Sequence, residues 1–436
     1  MLTAHLTPDL PYLEYVCAFT ICVSTLHAYL DVRQLRALRN TTPSASVRHL
    51  YTKDECEKKA HYQRDRLKLN LVHSIYDTAL SVAMLVYSYY PWVWRLSGTI
   101  LSRTLGWTNA EITQSIIWVV LLSVFSTLMN IPWSLYSTFV LEGKHGFNKT
   151  TVGTFVGDIV KSTLLTLVLV PPIIAGLVKI LMSTGPAVAL YIWGFMLVVS
   201  LVMLTVYPVF IAPLFNKYEP LKEGKLKDMI EDLASKLKFP LKKLFVIDGS
   251  KRSAHSNAYM YGFFKNKRIV LYDTLIEQCT SEQVTAVLAH ELGHWALSHT
   301  KYLFVASQLV LGAQMGLFAA LRATPGLLEA FGFVGKGNQP VLAGLVLFQL
   351  LIGPLDEVLS LLQNFVSRAF EYQADRFAVD QGYATELKGA LCVLDKQNKG
   401  PPNTDKWYST YHHSHPVLVE RLTAIDAATQ AMAKKD

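Results

Sequence analysis

The sequence predicts a mainly α, polytopic membrane protein with a small α+β region outside the bilayer. Three observations predict it. Hydrophobic residues make up 51% of the 436 and charged residues only 17%, so much of the chain cannot face water. Seven apolar runs reach the ~20 residues that a spanning helix needs. Between and after them lie two hydrophilic stretches, the first patterned as alternating strands and helices.

The seven runs are roughly 10–30, 68–93, 112–141, 155–182, 186–215, 302–322 and 341–366. Any one of them reads equally well as a buried helix of a soluble protein, but seven together do not. The first run has no basic residues before it, unlike a cleavable signal peptide. After it, the loop at 31–67 and its edge carry ten: Arg33, Arg36, Arg39, Arg48, Lys53, Lys58, Lys59, Arg64, Arg66 and Lys68. The next loop, about 94–111, has only Arg95 and Arg103. By the positive-inside rule the first loop is cytosolic and the N-terminus lumenal, and seven spans then leave the C-terminus in the cytosol. The net charge of +8 suits an anionic leaflet, and no nucleic-acid motif offers another use for it. The five cysteines contain no CxxC pair and read as reduced structural residues.

Four regions follow: 1–216 with five spans, 217–300 as the α+β region, 301–366 with two more spans, and 367–436 as a helical end. Within 217–300, "KYEPLKEGKLKDMIEDLASKLKFP" starts as loop and becomes an amphipathic helix with Met229, Ile230, Leu233 and Leu237 on one face. "KKLFVIDGS" is a strand. "NAYMYGFF" and "RIVLYDTLI" are two strands joined by the turn Lys265-Asn266-Lys267. "SRAFEYQADRFAVDQGY" is helical and ends near Gly382. Thr280 with Gln283 three later is a capping box that starts the helix carrying "AHELGHW", residues 289–295.

That motif carries the chemistry. Positions i and i+4 share a helix face, so His290 and His294 can hold one zinc ion, while Glu291 leans beside it as a general base for zinc-bound water. Two helix histidines with a surface glutamate would be the plainer reading. A third ligand argues against it: Glu371 in "FEYQAD", with Asp375 one turn on to accept a hydrogen bond from a ligand histidine. Two predicted crossings separate His294 from Glu371, so both lie on the same side of the membrane.

Two further stretches are candidates on chemistry alone. "SAHSNAYMYG" places His255, Asn257 and Tyr259 on a strand that can pair with an extended substrate. "HHSHP" offers His412, His413 and His415 as donors to an oxyanion. Spacing alone leaves both open, since a lone His or Asn is commonly a satisfied loop residue. His299 is expected to end the motif helix against its C-terminal dipole. Asp77, Asp158, Lys161, Asp356 and Glu357 fall inside spans and are expected to face an interior or a wet cavity, with Asp158 and Lys161 near enough to a span end to snorkel instead.

"RSAHSNAYMYGFFKNKRIVLYDTLI", "VLAHELGHWALSH", "SRAFEYQADRFA" and "WYSTYHHSHPVLVERL", together with "STFVLEGKHGFNKTT" and "APLFNKYEPL", resemble the type I CAAX prenyl proteases in order along nearly the whole chain. The resemblance implies seven helices enclosing a chamber and a gluzincin-like zinc-metalloprotease region on the cytosolic side. It implies one Zn2+ per chain on His290, His294 and Glu371, with Glu291 as base and Asn257 and His415 at the reaction centre. Asp375 and Arg421 would support the ligands, and His255 and Tyr259 would belong to the substrate-binding strand. The implied activity removes the C-terminal tripeptide of farnesylated CAAX proteins at the endoplasmic reticulum or inner nuclear membrane. Ala254 departs from the serine expected in many relatives, without bearing on the zinc residues. Three other readings share the motif: a general quality-control membrane metalloprotease, a zinc transporter, and a closed structural zinc site with His415 as fourth ligand.

Overall fold

The computed structural model describes residues 11–44, 47–106, 110–183, 185, 187–262, 267–322, 324, 326–335 and 339–434. The turn at Lys265-Asn266 lies outside them. The N-terminal half runs α1 Tyr12–Ala37, α2 Lys53–Val86, α3 Tyr89–Leu105, α4 Glu111–Leu135, α5 Val152–Ser183, α6 Val188–Val206 and the short α7 Ala212–Phe215. π-helical segments at Tyr136–Glu142 and Tyr207–Ile211 prolong α4 and α6. The α+β region contains β1 Tyr218–Pro220, α8 Lys225–Lys236, β2 Leu241–Ile247, β3 Ala258–Tyr261, β4 Lys267–Tyr272, α9 Asp273–Gln278 and α10 Ser281–Ala296. Next come α11 His299–Leu321, α12 Leu327–Ala330, α13 Val341–Leu351, α14 Gly353–Asp380, α15 Ala384–Gln397, α16 Lys406–His412 and α17 Leu418–Ala433.

Among the described residues six helices are long and apolar enough to cross a membrane, and α13 with α14, bent by 58° between them, brings the number to seven when the pair is counted as one span. The bend corrects the single run expected over 341–366. Its cause is local: Pro354 in the first turn of α14 has no N–H to continue the preceding ladder. Beyond the bend α14 is continuous to Asp380, so the last span and the Glu371 segment are one rod. Two other expectations also change. The basic stretch 31–67 is mostly helix, the end of α1 and the start of α2, where Thr52 and Glu55 form a capping box. And 94–111 is not a loop, since α3 occupies most of it.

The spans share one apolar core, with Trp94, Trp118, Val178, Ile192, Phe318 and Phe348 buried in it, and leave most of their length exposed. No more than 17% of any spanning window is buried, as expected of helices that touch neighbours only along their flanks. Apolar residues such as Val168, Leu190 and Leu309 are exposed, a surface that suits lipid. Polar groups line internal spaces. Asp158 borders a 480 Å³ cavity between α4 and α5, and Asp77 borders another of 300 Å³. Asp158 accepts two hydrogen bonds from Arg252, at 2.8 and 3.0 Å, which ties α5 to the α+β region. Lys161 donates to Leu214 O at 2.9 Å. Asp356 accepts from Gln314, and Glu357 from Tyr411.

The sheet has the order β1-β2-β4-β3, with β2 parallel to β4 and the outer pairs antiparallel. β3 is thus an edge. β1 lies where the sequence reads as loop, and "DTLI" is helical in α9 rather than strand. Ile230, Leu271, Leu288, Leu292 and Val379 pack into one core, so the sheet, α8, α10 and α14 share it.

Candidate metal and active site

α10 starts where its sequence says: Thr280 Oγ1 accepts from Gln283 N, and Gln283 Oε1 accepts from Thr280 N at 3.0 Å. Its apolar face, Val284, Leu288 and Leu292, is fully buried. That burial fixes the rotation of the helix and turns His290, Glu291 and His294 toward α14. Gly293 sets the approach. A Cβ there would stand 3.1 Å from Phe377 Cβ and 3.2 Å from Ala374 Cα. The missing side chain lets the two helices pack closely enough for Glu371, one turn before Ala374, to reach the histidines.

The resulting triangle is tight. His290 Nε2 lies 3.2 Å from His294 Nε2. Glu371 places Oε1 at 3.2 Å from His294 Nε2 and Oε2 at 3.5 Å from His290 Nε2. A tetrahedral zinc ion with ligands about 2.1 Å away has ligand–ligand edges of about 3.4 Å. The two carboxylate edges end on different oxygens of Glu371, and with one atom taken from each residue all three lie within 4.8 Å of one another, close enough to converge on one such ion. Glu371 Oε2 is buried, with ring nitrogens of His415 and His290 at 2.9 and 3.5 Å. Among the described residues two clusters could hold a metal ion, His61 with Asp65 and His145, and these three; only the second is joined to the HExxH helix, and its three ligands leave a fourth position open.

Each histidine is oriented from behind. His290 Nδ1 is 2.8 Å from Asp375 Oδ1, and Arg421 on α17 grips the same carboxylate at 2.8 and 2.6 Å. His294 Nδ1 is 2.9 Å from His299 Nδ1, and His299 Nε2 is 2.9 Å from Gln373 Oε1. A His299 that donates to the amide oxygen must accept at Nδ1. His294 then carries its proton on Nδ1 and leaves Nε2 bare. This corrects the expectation for His299. It opens α11 instead of ending α10, it is buried, and it stacks on Phe370 at 4.0 Å. Burial alone would lower the His290 pKa, but the hydrogen bonds to Asp375 and Glu371 outweigh it and hold the imidazole at about 9. The pocket thus favours positive charge. Burial raises the Glu291 carboxyl above its usual range.

The other predicted residues are placed less uniformly. His415, mostly exposed, has Nδ1 2.9 Å from Glu371 Oε2, so it reaches the centre. Asn257 is exposed just before β3, and its Oδ1 contacts the N–H of Ala258. His255 also precedes the strand and faces away, with Nδ1 2.9 Å from Asn398 Oδ1 and its ring on Phe147. Tyr259 is on β3, but its hydroxyl meets Tyr218 at 2.7 Å. His412 points to His27 and Tyr411, and Ser409 Oγ meets His413 Nδ1 at 3.3 Å. Sequence reasoning misses Gly293, Gln373 and the supporting place of His299. Gly293 was open to view as the small residue inside the motif.

The comparisons agree along the whole chain. The family model for the CAAX prenyl protease N-terminal region with five membrane helices matches residues 34–217, and that of peptidase family M48 matches 220–429. A CAAX prenyl protease 1 homolog of Oryza sativa is 49% identical over 96% of this chain and 98% of its own length. The Homo sapiens homolog is 40% identical over 95% of each chain, and CAAX prenyl protease 1 of Saccharomyces cerevisiae 36% over 97% of each. The crystal structure of S. mikatae Ste24p matches with a TM-score of 0.91 at 39% identity, covering 96% of this chain and 100% of that one.

Proposed function

We infer the function from the premise that this chain belongs to peptidase family M48, among the CAAX prenyl proteases. It is a membrane metalloendopeptidase that processes CAAX proteins. The observation that carries the finer reading is an open three-residue centre with Glu291 beside it, on a helix packed under a sheet with a free edge. The metal is zinc, one ion per chain, on His290, His294 and Glu371. Bound there, it supplies a Lewis acid for the scissile carbonyl and lowers the pKa of water toward 7.

The protein's own groups do the rest. Glu291 takes a proton from the attacking water and delivers it to the leaving amine nitrogen; its raised pKa brings it toward the range that suits both transfers. His415 and Asn257 donate hydrogen bonds to the carbonyl oxygen as it gains charge. Asp375 and Arg421 hold His290, and His299 with Gln373 holds His294. The tail of the substrate pairs with β3 by backbone hydrogen bonds. Its prenyl chain stays in an apolar setting inside the chamber, at about 0.8 kcal/mol per methylene kept from water. The substrates are farnesylated CAAX proteins, which lose their last three residues. The enzyme works from the cytosolic side of the endoplasmic reticulum membrane, with its N-terminus lumenal and C-terminus cytosolic.

The test uses purified protein in liposomes with a farnesylated CAAX peptide and its unprenylated twin, the released tripeptide being read by mass spectrometry. Release from the farnesylated peptide only, abolished by Glu291→Gln and by a chelator, is the expected result. Equal cutting of both peptides would point to a general quality-control protease, and no cutting by metal-loaded protein would defeat the reading.

A further inference from the structure

The free edge of β3 is blocked at one end. Its inner edge faces β4, where Asn257 O accepts from Tyr272 N at 3.1 Å. Just upstream, the carbonyls of Ala254 and His255 turn to that same inner side and accept from Gln278 and Thr274. The N–H of Ala254 turns the opposite way, to Phe147 O, and Lys149 N–H donates to Arg252 O. Asn148 and Ser253 thus form an antiparallel bridge. Segment 147–149 takes the outer edge upstream of residue 255, leaving about 255–261 for an added strand. β3 pairs antiparallel with β4, and an antiparallel addition on its outer side runs its C-terminal end toward the blocked end.

At that end lies a cavity of 720 Å³ whose lining includes Arg66, Glu142, Phe147, Ser253, His255 and Asn398. Three extended residues need about 10 Å, and their last group is a carboxylate. Most charges around the cavity are already engaged. Arg252 is forked onto Asp158. Glu142 Oε1 accepts from Tyr62 at 2.8 Å, and its Oε2, buried without a hydrogen-bond partner, faces His255 Nε2 at 3.6 Å. Lys399 donates to His145 O and lies over the Phe147 ring. Arg66 differs. It is an exposed residue of α2, and no ion pair to it occurs among the described residues. It lies within electrostatic range of Glu142 and His255 on one side and, on the other, of Tyr408 and of His413, which stands two residues before His415.

We propose that Arg66 binds the C-terminal carboxylate of the substrate in this cavity, and that the block at 147–149 stops the tail there. Together they set how many residues lie beyond the scissile bond. A guanidinium presents two parallel N–H groups to a carboxylate, and the unpaired Arg66 is the group free to do so. This inference rests on the CAAX-tail reading of the site.

The experiment compares a farnesylated CAAX peptide as free acid and as C-terminal amide, with wild type, Arg66→Gln and Arg66→Lys in liposomes. Wild type is expected to show a KM for the acid lower than for the amide by about 10- to 100-fold, the range of a hydrogen bond to a charged group. Arg66→Gln should raise the acid KM to the amide value and leave amide cleavage unchanged, which also shows that the variant is folded. Arg66→Lys should recover part of the preference. Equal KM values for acid and amide in wild type, or a parallel loss on both peptides in Arg66→Gln, would overturn the inference while leaving the prenyl-protease reading intact. No cleavage of either peptide by metal-loaded wild type would overturn both.

Discussion

Eight of the sixteen residues of α10 are buried, against six of the thirty-four in α2. Both are well-capped helices, and each starts with the same Thr-led capping box. They differ in what surrounds them. α10 is packed by α8, α14, α15 and β3, so its rotation and its distance from α14 are fixed from several sides. α2 has a neighbour on each flank and open space or lipid on its remaining faces. A metal triangle with edges of 3.2 to 3.5 Å needs the first environment. The second leaves apolar helix faces such as those of Val72 and Ile75 exposed. The two are joined at several points, among them the Arg252–Asp158, Arg33–Asp405 and Lys396–Glu55 pairs and the continuous rod of α14.

This contrast can be broken or sharpened by substitution. The largest effect is expected from Glu291→Gln: turnover should fall by about 10²- to 10⁴-fold, the usual contribution of a general base, with metal content and melting temperature unchanged. Loss of metal in this variant would mean that Glu291 shapes the centre instead of serving it. Asp375→Ala leaves His290 and Arg421 without their shared partner and should weaken metal affinity about 10- to 100-fold, measured by competition with a chromogenic chelator. Next comes pH. The metal-free His290 pKa is raised to about 9, so below that value the imidazole holds a proton that metal loading must release. Affinity should rise about tenfold per unit between pH 7 and 9, and a flat profile there would contradict the raised value. Gly293→Val drives a side chain into Phe377 and should destabilise the protease half by about 1–3 kcal/mol, visible as a lower melting temperature. In the membrane half, Leu164→Ala, at an exposed site, should stay within about 0.5 kcal/mol. A larger loss would mean that α5 is packed more like α10 than its exposure indicates.

Much of this was legible in the residues. Thr280 and Gln283 mark the start of α10, and the four-residue spacing puts His290 and His294 on one face before any packing is known. The parity of spans puts Glu371 on the same side of the membrane as the motif. Other features were hidden because their signals are not local. His299 follows His294 by five residues, a poor spacing on one helix. Only the break at Ser298, with φ at 59°, folds the chain so that the first residue of α11 meets the ring of His294. His255 and Asn257 read as strand, yet the chain bends there because Thr274 and Gln278 on α9 take the carbonyls upstream of β3. The bend between α13 and α14 turns on Pro354, which sits inside an otherwise continuous apolar run.

The sequence by itself determined the start of α10, the number of apolar runs and the His-His-Glu set at the centre, because periodicity, capping and charge act over a few residues. The tertiary structure alone decided the distances. Glu371 lies 77 positions after His294, and no local pattern can say that it comes within 3.2 Å. That follows from the close contact over Gly293, which is a property of two helices and not of either one. In the same way the strand addition site on β3 ends where Phe147, more than a hundred residues earlier in the chain, claims the N–H of Ala254.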